Sequence, residues 1–85
     1  MTAIRVYFKK LPTEIKVVAS IPGNYTSTVC DERLSKDENA VSCTTNFCEH
    51  NKISGHWVGD VLSTGDYAFV CVSSMGYLKV EISSY

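Results

Sequence analysis

Ile4, Val6 and Phe8 alternate with Arg5, Tyr7 and Lys9. A period of two over six residues predicts a strand with one buried face. Pro12 breaks the run, since proline cannot serve a central ladder. A second alternation covers 14–21, with Ile15, Val17, Ala19 and Ile21 on one side, and Pro22-Gly23-Asn24 then gives a strong turn. The β-branched stretch 25–30 reads as a third strand. The segment 31–51 is polar, sustains no helical period and carries Cys43 and Cys48. It reads as a long excursion with at most one helical turn near Asp31, pinned by its cysteines. Strands resume at 52–62, where Gly55 and Gly59 signal a bulge or a close backbone approach. The stretch 67–73 is apolar on both faces, as a central strand should be, and Ala68, Val70 and Val72 form its expected inward stripe. A turn at Ser74-Met75-Gly76 then predicts a hairpin into 77–83, with Leu78, Val80 and Ile82 inward. Six short strands at this spacing predict an all-β fold, a small six-stranded antiparallel sandwich or barrel.

At 85 residues the chain has room for one domain, spanning 1–85, and a core that is marginal by burial alone. Four cysteines, Cys30, Cys43, Cys48 and Cys71, change the picture. An even count in so small a chain predicts two disulfides, and disulfides persist in oxidising compartments, so the expectation is a secreted scaffold. Three pairings are open, two of which tie Cys71 to the Cys43–Cys48 loop. Asn24-Tyr25-Thr26 is a formal glycosylation sequon. The N-terminus enters strand-like sequence at once, which predicts a mature chain whose Met1 is not native to it. No apolar run approaches the ~20 residues of a membrane span, so no membrane partner is expected.

Net charge is −1 and the pI about 6.0, which argues against a general nucleic-acid binder. The charge is uneven. Arg5, Lys9, Lys10 and Lys16 face one acid, Glu14, near the start, while Asp31, Glu32, Asp37, Glu38 and Glu49 cluster between Cys30 and His50.

The sharpest candidate chemistry is Cys43-x4-Cys48-x-His50-x5-His56. Zinc sites are built from closer pairs such as C-x2-C, so the spacing favours disulfides and two ordinary histidines over a metal. His50 and His56, with Glu49 or Asp60 nearby, are the candidates for acid–base work. No base–nucleophile arrangement, P-loop or dinucleotide motif accompanies them, so no catalytic residue, no metal and no cofactor is expected. Trp57, if exposed, would be a binding anchor; if buried, it is a large share of the core.

The strand count, size, four cysteines and missing catalytic motifs together resemble the MAX effectors, small secreted β-sandwich proteins of plant-pathogenic fungi with few disulfides. Those proteins place a cysteine in or near the first strand, whereas the first here is Cys30. Killer toxins and antifungal β-proteins share the outline. The resemblance implies a secreted, monomeric virulence effector that binds a host protein through a surface and performs no catalysis. The residues expected to meet that partner are Arg5, Lys9 and Lys10, on a first strand read as a sheet edge, together with Trp57. An antimicrobial or killer-toxin role, or a minimal hydrolase using His50 and His56, are the other readings.

Overall fold

The computed structural model describes residues 3–83, so the expectation about Met1 lies outside the described residues. Its strands are β1 (Ile4–Lys10), β2 (Ile15–Ile21), β3 (Asn24–Val29), β4 (Gly55–Val61), β5 (Tyr67–Ser73) and β6 (Leu78–Ile82), with one helix, α1 (Lys36–His50), between β3 and β4. The strands form one sheet in the order β3-β2-β1-β5-β4-β6, curled into a half-barrel. Buried residues of α1 share a single core cluster with Ile4, Val6, Val17, Ala19, Trp57, Tyr67 and Phe69, so the helix fills the concave side.

The helix is the first correction to the sequence reading. Ser35 caps it, its hydroxyl accepting from the Glu38 N–H at 3.1 Å while the Glu38 carboxylate accepts from the Ser35 N–H at 2.9 Å. This capping box satisfies two backbone donors that a helix start leaves free. The far end closes as a Schellman turn. Ile53 N–H reaches Cys48 O at 2.8 Å and Lys52 N–H reaches Glu49 O at 3.3 Å, with Lys52 at φ 57° in the left-handed region. Asn39 is buried but saturated. Its amide donates to the carbonyls of Asp31 and Ser35, and its oxygen accepts from Asp31 N–H. It therefore clamps the 31–35 loop to the helix without an orphan polar group.

The thiols are the second correction. Cys30, Cys43, Cys48 and Cys71 are all free, and none lies at disulfide distance from another. Cys43 and Cys48 are fully buried on the inward stripe of α1, where they act as small apolar residues. Burial pushes both thiols up to about 11, because the thiolate would lose its hydration. The step from bridges to an oxidising compartment, and so to a secreted scaffold, no longer has its premise. Four thiols are expected to titrate with an aromatic disulfide reagent in denaturant without reductant. In the folded protein Cys43 and Cys48 should react roughly tenfold or more slowly than the half-buried Cys30 and Cys71. Fewer than four thiols in denaturant would restore the bridged reading.

Two features of the sheet also differ from expectation. It is mixed: β6 runs parallel to β4, Trp57 opposite Val80, instead of forming a hairpin with β5. The 74–77 connection passes the start of β4, where Gly55 N–H bonds Tyr77 O at 2.9 Å. Gly55 is at φ 107°, and a Cβ there would meet Cys71 Sγ and Ser73 O at 3.1 Å, so the crossing needs glycine. The face of β5 is also reversed. Tyr67 and Phe69 point into the core, while Val70 is 44% exposed and Val72 is exposed beside a register shift. Phe69 claims the inner face because Gly59 on β4 leaves space for its ring.

Candidate binding face

The concave side of the sheet is filled by α1, which leaves the convex side open. The alternation on β1 sends Arg5, Tyr7 and Lys9 there, opposite the buried Ile4 and Val6 and the half-buried Phe8. Register with β2 places Ser20, Val18 and Lys16 beside them, and register with β3 adds Tyr25, Ser27 and Val29. Tyr7, Lys9, Lys16, Val18, Tyr25 and Ser27, with Leu11 at one end, line a shallow groove of about 300 Å³. Val18 is only 5% exposed and lies at its floor, whereas the Tyr25 ring is 69% exposed. Val70 on β5 continues the exposed apolar surface of this side.

The charges of the groove are one-sided. Lys9 and Lys16 sit directly opposite each other across β1 and β2, and like charges in register repel. Lys16 finds a distant carboxylate, Glu14, at 4.0 Å. Among the described residues Lys9 has no ion-pair partner. Arg5, along the same strand, is held by Asp66 at 3.2 Å. A larger hollow of about 430 Å³ lies next to the groove, but Glu14 and Glu32 stand beside Lys10 in its wall, so no single charge dominates there.

The sequence-selected residues are thus only partly brought together. Arg5 and Lys9 share the convex face. Lys10 turns away from them by one strand position and lines the mixed-charge hollow. Trp57 is 8% exposed, and its indole N–H donates to Ser54 O at 3.1 Å, which leaves little of the ring for a partner. The first strand is expected at a sheet edge, but it lies between β2 and β5; the edges are β3 and β6. Tyr7 and Tyr25 come together only through the register of β1 with β2 and of β2 with β3, which no local sequence pattern specifies.

The two histidines lie in different surroundings. His50 is exposed in the last turn of α1. His56, on β4, bonds the Glu81 carboxylate on β6, and that bond, with Lys79 nearby, holds the Glu81 carboxyl below its ordinary range. Among the described residues no three His, Cys, Asp or Glu side chains gather closely enough to hold a metal ion. The strongest polar cluster away from the groove is structural. Lys36 Nζ donates to Gly65 O at 3.0 Å and lies 5.2 Å from the Phe8 ring centroid, while the Tyr67 hydroxyl bonds Asp37. Burial, then the Asp37 carboxylate, push Tyr67 up to about 12. These contacts dock the first turn of α1 onto β1 and β5. Among the described residues no helix is long and apolar enough to cross a membrane.

No protein-family model, no curated protein and no solved structure matches the chain. The convex groove is therefore read from its own chemistry.

Proposed function

We propose that this protein is a binding module without chemistry of its own, engaging an anionic partner through the convex face of β1, β2 and β3. The single observation that carries this is the Lys9–Lys16 opposition inside an aromatic-walled groove. Two cations in register weaken the sheet locally, and a bound anion between them removes that repulsion. Local conflicts of this kind concentrate at functional sites. The sequence reading of a surface-borne interaction carries forward in this narrower form.

The test is retention on a heparin column, which offers a polyanion without prejudging the class of partner. The native protein should be retained at low salt. Lys9→Glu with Lys16→Glu should elute at clearly lower salt with its melting temperature nearly unchanged, since surface charges contribute little to stability. His50→Ala with His56→Ala should elute with the native protein. Equal elution of the native and charge-reversed proteins overturns the proposal.

A further inference from the structure

The geometry points to a single-stranded nucleic acid as the anion that this groove takes, its bases stacking on Tyr7 and Tyr25 and its phosphates lying against Lys9 and Lys16. This inference rests on the reading of the convex face as the binding face.

Three observations favour a nucleic acid over an acidic protein surface. First, the groove pairs its cations with exposed aromatic rings. Tyr7 stands opposite Val18, and Tyr25 opposite Ser20, so the two rings project from the same face. They are two strands and two residues apart, a diagonal of about 12 Å. Flat rings at that spacing serve as separate platforms for two bases of a flexible strand, because every base has a π-face. Second, the floor between them is apolar, made by Val18, with Ser27 beside it as a neutral polar group. Unstacked bases can cover both rings and the apolar floor with their π-faces. Third, the groove is shallow and carries few cations, which suits a strand laid across a sheet more than a duplex gripped by its phosphates.

The net charge of −1, from which the sequence reading set nucleic acid aside, is a property of the whole chain. Asp37, Glu38 and Glu49 ride on α1, on the opposite side of the sheet. Asp31 is bound by Arg33 at 2.9 Å. Exposed charges a layer of structure away act weakly beyond a Debye length of about 8 Å at physiological ionic strength. The local field at Lys9 and Lys16, reduced by Glu14 at 4.0 Å from Lys16 and by Glu32 in the adjoining hollow, is the one an incoming phosphate meets.

The experiment is fluorescence anisotropy with labelled oligo(dT) and oligo(U) of about ten nucleotides, within the span of one small binding face. Single strands should bind at low salt, and the affinity should fall with salt along a log–log slope near −1.4, as two phosphates neutralised at about −0.7 each require. Tyr7→Ala and Tyr25→Ala should each weaken binding roughly fivefold or more, while Tyr7→Phe and Tyr25→Phe retain it, since stacking needs the ring and not the hydroxyl. A duplex of the same length should bind more weakly than either strand. Melting temperatures of the tyrosine variants serve as the folding control. Binding that ignores the tyrosine truncations, or that prefers the duplex, overturns the stacked single strand. Lysine-dependent retention on heparin with no oligonucleotide binding also overturns it and leaves the anionic-partner reading standing, with an acidic protein as its occupant. Loss of the heparin retention itself overturns both.

Discussion

Phe69→Ala is expected to lower the melting temperature by roughly 15–30 °C, whereas Val70→Asp, one residue along, should lower it by no more than a few degrees. Phe69 is fully buried among the core residues of β1, β4 and α1. Truncating a buried phenylalanine costs about 3–5 kcal/mol, through lost transfer energy and the cavity left behind. A chain of this size holds roughly 4–13 kcal/mol in all, and each kilocalorie moves the midpoint by about 4–8 °C. Val70 is on the other face, 44% exposed. A carboxylate there stays hydrated, so its cost is confined to strand preference, about 1 kcal/mol or less. Thermal melts of the two variants decide the matter. Similar losses for both would mean that the inward and outward faces of β5 are misassigned.

Gly59→Ala should be nearly as damaging, although it adds one methyl group. A Cβ at Gly59 would stand 2.4–2.6 Å from three carbons of the Phe69 ring. The ring cannot retreat, because it is fully buried. The backbone cannot retreat either, since Gly59 pairs with Phe69 on one side and Ile82 on the other. Overpacking of this kind costs about 1–3 kcal/mol and occasionally more, which predicts a fall of roughly 5–20 °C. The cause can be isolated with a double-mutant cycle. If the clash is with the ring, Phe69→Leu should relieve part of the alanine penalty, and the double variant should be more stable than the sum of the singles by about 1 kcal/mol or more. Strict additivity would place the cost in the strand backbone instead.

How much of this was legible in the sequence depends on which residues carried the signal. β1, with Ile4, Val6 and Phe8 inward, and the turn at Pro22-Gly23 were readable, because a clean period of two and a proline–glycine turn each have one physical meaning. β5 had its bounds right and its face wrong. Valines and aromatics alternate along it, and only the space left by Gly59 on a different strand decides between them. The helix was hidden for a related reason. Its inward stripe is Asn39, Ala40, Cys43, Thr44, Phe47 and Cys48, a correct three-four spacing in which Phe47 is the one large apolar side chain and Asn39 and Thr44 are polar. Assigning the two cysteines to bridges removed half of its hydrophobic signal. The Ser35-x-x-Glu38 capping box was present as a start signal, while the stop signal was masked by Lys52 in the position where glycine is usual. For the candidate groove, Arg5 and Lys9 were visible as a basic strand, but Tyr25 and Lys16 join them only through cross-strand register, which no local pattern specifies.

The junction between β1 and β5 has a consequence for how the molecule assembles. β1, β2 and β3 are joined by short turns and pair along six residue positions at each boundary. β4, β5 and β6 likewise lie close together in the chain and pair along five or six positions. Among the described residues the strand pairing between the two blocks runs through Ile4, Arg5 and Val6 against Phe69, Ala68 and Tyr67. The sheet is thus two local structures stitched along a short seam whose two sides are separated by most of the chain. Closing that seam requires the largest loss of chain entropy for the fewest new hydrogen bonds, so it belongs late in folding. α1 is the clasp. It packs against β2 and β3 from one block and β6 from the other, so the helix that the sequence concealed is also the element that holds the two halves of the sheet in one piece.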